Sequence, residues 1–309
     1  MKSYRAVIIV LVLLVLTPLF GEAFVADFLS LDADFVSTGL GRSKFAEGGA
    51  ASIFGNPAGV NSSGPRYFVS HEALFGNMVM SDAAGALIPL KNANNLAVGA
   101  LYHGGGGIEV TQLPDPSAPV GPDNRPIAVA EKGHHDIAIG AGYAVEVWRD
   151  VAVGATAGGM FRSLVDESGF GGFLSAGVSW DALPNLRLGA MFGNMSLASW
   201  STGTSEFGAP NLSLGGVYGA DLGGSFNGRL AGEIGYAPSE RLFEFSTGAE
   251  LSYRSIVAFR AGYADGNISA GADFALFPGI IIGAAMTTHS DLPLSYRFGV
   301  NIYRSDTEK

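Results

Sequence analysis

From Arg66 onward the chain alternates apolar and polar side chains with a period of two, in runs longer than an ordinary globular strand. In Phe243–Arg254 one face reads Phe243, Phe245, Thr247, Ala249, Leu251 and Tyr253. The other reads Glu244, Ser246, Gly248, Glu250, Ser252 and Arg254. Asn227–Tyr236 sets Leu230, Ile234 and Tyr236 against Arg229 and Glu233, and Pro293–Tyr303 sets Tyr296, Phe298 and Val300 against Ser295, Arg297 and Asn301. Successive side chains of an extended strand point to opposite faces, so each run is a strand with one oily and one polar side.

The pattern predicts fourteen strands, near 66–73, 78–90, 95–104, 134–147, 151–163, 171–181, 185–196, 210–221, 226–237, 243–253, 255–264, 267–277, 280–289 and 293–303. Most run about 10–13 residues, which suits a tilted strand crossing a bilayer. The polar faces carry Arg162, Arg187, Arg229, Glu233, Glu244, Glu250, Arg254, Arg260, Asp273 and Arg297. A soluble sandwich would turn these charges outward. A membrane barrel turns them into its lumen and gives its aliphatics to lipid.

The connections separate the two. With the first strand running outward, the links near 91–94, 148–150, 182–184, 222–225, 254 and 278–279 all fall at one end and are only a few residues long. The longest, 105–133 and 197–209, fall at the other. Short turns at one rim and long loops at the other mark an outer-membrane barrel, as does an even strand count. Tyr102, Tyr143, Trp180, Tyr218, Tyr236, Tyr253, Tyr263 and Tyr303 lie near strand ends, where amphipathic rings favour the water–lipid boundary. The fold expected is therefore all-β, a transmembrane antiparallel β-barrel of about fourteen strands.

The N-terminus fits export. Lys2 and Arg5 precede the apolar run Ala6–Phe20, and Gly21-Glu22-Ala23 supplies small residues, the order of a secretory signal peptide over 1–23. No later segment offers about 20 continuous apolar residues, so no transmembrane helix is expected after it. Residues 24–65 lack strand alternation, hold many apolar residues and few charges, and suit a hatch or plug in the lumen. Within them Ser43–Phe54 reads as a short small-residue helix, and Asn56-Pro57 as an N-cap and first-turn pair. The barrel is expected over 66–303 and a short C-terminal tail over 304–309.

Composition removes several functions. A net charge of -10 repels a phosphate backbone, so no nucleic-acid partner is expected. The chain has no cysteine, which excludes disulfides, thiolate metal sites and Cys nucleophiles. No Gly-x-Ser-x-Gly elbow occurs, and Gly104–Gly107 lacks the lysine and strand-to-helix setting of a phosphate loop; it reads as the flexible start of the 105–133 loop. His134 and His135 are neighbours on a strand and face opposite sides, so they do not share a metal without a bulge. The chain is read as a non-enzyme with no metal or cofactor, and mixed-sign lumen charges are read as interior ion pairs.

Gly39-Leu40-Gly41-Arg42-Ser43, Gly48-Gly49-Ala50 and Phe54-Gly55-Asn56-Pro57-Ala58-Gly59 resemble the opening signature of the PorV/PorQ proteins, within the wider FadL-like superfamily of outer-membrane transport proteins. Leu186-Arg187-Leu188-Gly189, Gly193-Asn194, Pro210-Asn211-Leu212, Phe259-Arg260-Ala261-Gly262-Tyr263 and Leu294-Ser295-Tyr296-Arg297-Phe298-Gly299 continue the likeness along the chain. The resemblance implies a fourteen-stranded barrel in the outer membrane of a Gram-negative cell, in contact with lipid, with Asn56, Pro57, Ala58 and Gly59 in a luminal hatch. It also implies passive passage of hydrophobic, fatty-acid-like molecules. The alternative it carries is a component of type IX protein secretion and cell-surface attachment that binds secretion-system proteins and moves no small molecule. The tail beyond Tyr303 and the short outer loops depart from the pattern.

Overall fold

The computed structural model describes residues 26–303 except 47, 91–93 and 239–241. The signal peptide expected over 1–23, the first two residues of the expected hatch segment and the tail expected over 304–309 lie outside the described residues. The first seven strands are β1 (Tyr67–Leu74), β2 (Val79–Pro89), β3 (Asn95–Gln112), β4 (Ile127–Trp148), β5 (Val151–Leu164), β6 (Glu167–Leu183) and β7 (Leu186–Trp200). A short β8 (Ser205–Gly208) follows, then β9 (Asn211–Gly223), β10 (Phe226–Ala237), β11 (Leu242–Tyr253) and β12 (Val257–Ala264). The last are β13 (Asn267–Phe277), β14 (Ile280–Thr287) and β15 (Ser295–Ile302).

Every pairing is antiparallel between chain neighbours, except that β7 pairs with β9 and β15 returns to pair with β1. The circuit closes, giving a barrel of fourteen strands without a free edge; β8 pairs only with the loop end of β7. Closure pairs the backbone groups of the barrel wall itself, which hydrocarbon demands.

The outer wall is apolar. Leu230, Phe245 and Phe298 are 57%, 53% and 55% exposed, and Phe243, Ile139 and Phe259 are more so. In water each such side chain would forgo about 1.5–3 kcal/mol of burial, so a wall built this way is stable only against lipid. Among the described residues no helix is long and apolar enough to cross a membrane; the strands make the crossing.

Tight turns join the strands at the rim that holds Tyr67 and Ile302. The turns at the opposite rim include Asp265-Gly266, with φ of 47° and 88°, the two positive values that a type I′ hairpin turn requires.

Four expectations change. The 105–133 segment is mostly strand: β3 runs on to Gln112 and pairs with β4 out to Ile127, so a two-stranded ribbon stands above the barrel and Gly104–Gly107 lies within it. Glycines and a bulge between Gly105 and Ile108 break the alternation that would have marked it. The 197–209 link contains the end of β7 and all of β8. Ser43–Phe54 forms no α-helix; only Gly49–Ile53 makes a 3-10 turn, because Gly48 and Gly49 leave the backbone extended or at positive φ. Arg254, expected in the lumen, sits exposed in the turn after β11 at φ 52°, its guanidinium over the Tyr253 ring. Strand parity ends one residue before it.

Candidate functional site

The N-terminal segment from Ala26 to Pro65 threads the lumen and is buried along most of its length. Its folded pieces are short. Asp27–Ser30 is a 3-10 turn, and α1 (Phe35–Gly39) is one helical turn capped by Asp34, whose carboxylate accepts from the Val36 N–H at 3.3 Å. Pro57–Asn61 is another 3-10 turn, capped by the Asn56 side chain accepting from the Ala58 N–H at 3.1 Å. Pro57 at the first position needs no partner for a missing N–H.

Paired glycines on the wall seat this segment. Gly283 and Gly299 face each other across β14 and β15, and the Phe35 ring lies on them. Gly248 and Gly262, partners across β11 and β12, receive Leu40 and Gly41. Gly189 and Gly215, partners across β7 and β9, carry the Phe45 ring. Gly154 and Gly177, partners across β5 and β6, receive Pro57 and Asn56. A Cβ at Gly189 would stand 2.6 Å from the Phe45 ring, and one at Gly248 would stand 2.5 Å from the Leu40 carbonyl oxygen. The wall thus fits this segment alone by lacking side chains where it passes.

Two kinds of interior divide the lumen. Along β1–β7, Phe28, Leu29, Ile53, Phe54 and Val60 of the plug pack with Phe68, Leu101, Met160 and Phe173 of the wall. One ion pair interrupts this surface: Arg162 on β5 meets Asp136 on β4 at 2.7 Å, with its guanidinium over the Phe28 ring. Along β10–β13 the interior is ionic. Arg229 donates to Glu250 at 2.8 Å, Arg260 donates to Glu250 at 2.6 Å, and Arg260 donates to Asp273 at 2.5 Å, an alternating row across four neighbouring strands. Arg297 is fully buried, donates to Ser70 at 3.0 Å and pairs with Glu72 across the seam of β15 and β1. Arg187 pairs with Asp181 at 2.6 Å near the turn rim, partly exposed.

Several wall groups hold the plug directly. Glu233 accepts from the Lys44 N–H at 2.9 Å, and Arg229 donates to the Ala46 carbonyl at 3.3 Å. Asn301 donates to the Asp34 carboxylate at 3.0 Å, and Asn56 donates to the Val178 carbonyl at 3.1 Å. Ser30 accepts from Asn194 and Asn211 at 3.0 and 2.9 Å. Glu244 lines a small cleft with Arg42, Lys44, Glu233 and Asp265 at the loop end. In the loop beyond β14, burial and the nearby Arg42 guanidinium hold the His289 ring below histidine's ordinary range.

The loop-end cleft holds about 40 Å³, and a cavity of about 290 Å³ opens at the turn end beside Phe45, Ala46, Arg187 and Arg229. A groove of about 680 Å³ lies on the outer wall across β12–β15 and β1, over Ala272 and Ala284, outside the lumen.

The expected residues therefore fall into three places. Arg229, Glu250, Arg260 and Asp273 are joined in one luminal row, Glu233 and Arg297 lie in the lumen with other partners, Arg187 and Glu244 line its two mouths, and Arg254 is outside it. Asn56, Pro57, Ala58 and Gly59 lie inside the barrel against β4, β5 and β6. His134 faces inward beside His103, while His135 faces out and meets the Tyr102 hydroxyl at 2.9 Å. Sequence reasoning missed Ser30, Asp34, Phe35, Lys44 and Phe45. Asp34 ahead of a short apolar run was a cap signal, whereas nothing in the local sequence marks where Phe35 and Phe45 land.

No protein-family model matches the chain, and a search of curated proteins gives no significant sequence match. Solved structures do share its fold. The CymD monoaromatic hydrocarbon channel is 12% identical with a TM-score of 0.54, over 88% of this chain and 99% of that one. The Pseudomonas putida toluene transporter TodX is 11% identical with a TM-score of 0.52, over 88% and 96%. A TodX deltaS2S3 mutant monoaromatic hydrocarbon channel is 10% identical with a TM-score of 0.54, over 88% and 98%. At these identities the likeness is one of fold, shared along nearly the whole length.

Proposed function

We propose that the protein is an outer-membrane channel of the FadL-like type that lets small, largely apolar molecules diffuse passively, with residues 26–65 as the movable hatch. The observation that carries this reading is the plug itself. It is a chain of one-turn pieces held by side-chain hydrogen bonds, glycine seats and apolar packing inside a wall whose strands pair with one another all the way round, so the barrel closes without it. The apolar cluster of Phe68, Leu101, Met160 and Phe173 offers an oily body a surface once Phe28 and Leu29 move, beside the Arg162–Asp136 pair that Phe28 covers. Structural neighbours described as hydrocarbon channels support the same use. Asn56, Pro57, Ala58 and Gly59 act as the hatch's fixed end in this reading, and the luminal charges as its ionic seat.

Deleting residues 26–65 is expected to raise solute permeability in proteoliposome swelling while heat-modifiable gel migration reports an intact barrel. A folded barrel with unchanged permeability would overturn the reading.

A second reading rests on the β3–β4 ribbon. Its upper part, paired only within itself, offers open backbone edges outside the membrane, as a docking barrel for secreted proteins requires. Co-purification with secretion partners, lost on trimming 107–130, is the outcome that favours it.

A further inference from the structure

We infer that the barrel contains a water-filled route for small hydrophilic solutes along β9–β11, closed by the short plug stretch Lys44–Ala46. The inference rests on the hatch reading and adds a second class of solute to it.

Space lies on both faces of this stretch. Lys44 lines the loop-end cleft of about 40 Å³, whereas Phe45 and Ala46 line the turn-end cavity of about 290 Å³. Consecutive residues thus border the two spaces, and Lys44–Ala46 lies between them. Glu233, Glu244 and Asp265 line the upper space, and Asp181, Arg187 and Arg229 the lower. Charged groups on both walls keep water and suit polar solutes, and Leu183, Leu186 and Val217 complete the lower wall.

The closure is sparsely held. Gly189, Gly215 and Glu233 form one hydrogen-bonded row across β7, β9 and β10. The Phe45 ring rests on the two glycines, and the Lys44 N–H donates to Glu233 at 2.9 Å. Arg229 reaches the Ala46 carbonyl at 3.3 Å, the long end of a hydrogen bond. Removing the ring would leave a gap over two residues that have no side chains to fill it. Elsewhere the plug differs. Phe35 sits on an equivalent glycine pair, Gly283 and Gly299, but the space bordering that wall, the 680 Å³ groove, opens to lipid.

The test uses the full-length protein in planar bilayers with potassium chloride and in proteoliposomes with L-arabinose. Phe45→Ala is expected to raise both conductance and swelling several-fold over wild type, and Phe35→Ala to leave both at the wild-type level. Glu233→Ala, which frees the Lys44 N–H, is expected to raise both as well, while Glu233→Gln, which keeps an acceptor oxygen, stays near wild type. Heat-modifiable migration checks each barrel, and Glu233→Ala stands in if Phe45→Ala does not assemble. Wild-type conductance in Phe45→Ala, or an equal rise in Phe35→Ala, would overturn the route. If the 26–65 deletion conducts and Phe45→Ala does not, the route alone fails. If neither conducts, the hatch reading fails with it.

Discussion

Asn56 shows how much one side chain does in the segment that fills the lumen. Its carbonyl oxygen caps the Pro57–Asn61 turn and its amide reaches the Val178 carbonyl, so a single residue both starts the turn and ties it to β6. Gly177 makes room for it, since a Cβ there would occupy the place of the Asn56 carboxamide. Asn56→Ala is expected to cost about 1 kcal/mol, the usual worth of a cap, and to speed proteolysis within residues 26–65 without changing barrel migration on a gel. The Asn-Pro pair was readable as a cap from residue chemistry alone. Its partner on β6, 122 positions away, was not.

Strands behave as their pattern dictates, and the exceptions are local. The barrel strands follow the alternation wherever the ladder is regular, because one lipid face and one luminal face impose a period of two. In β7 the bulge at Asn194 (φ 62°) switches the inward side chains from Met191 to Ser196 and Ala198. Where a strand leaves the bilayer that constraint lapses, which is why the upper parts of β3 and β4 and all of β8 escaped a reading by alternation. Arg254 failed for a related reason: parity assigns a face only while the backbone stays extended. Between elements, the β15–β1 seam depends on a buried pair. Arg297→Ala leaves Glu72 charged and alone at 6% exposure, an expected loss of about 3–5 kcal/mol, read as a lower urea midpoint in detergent. Arg297→Met with Glu72→Leu is expected to recover most of it, since no uncompensated charge remains.

At the scale of the molecule the protein is inverted relative to a soluble domain, with its large apolar side chains outside and its ion pairs within. Leu230→Arg, on the lipid face of β10, is expected to cost about 2–4 kcal/mol if that position lies at the bilayer midplane, measured as reduced folding into vesicles. An arginine on the adjacent luminal position is already present at 229 and is satisfied by Glu250. The class of fold, the strand count and the sign of each wall face followed from the sequence by itself, because alternation and rim asymmetry are local consequences of a wall between lipid and water. Which glycines sit opposite one another, which carboxylate takes which guanidinium, and where Phe35 and Phe45 come to rest were decided only by tertiary structure. Those contacts depend on strand register and on the path of a chain with no period of its own, and neither is written in any one stretch of residues.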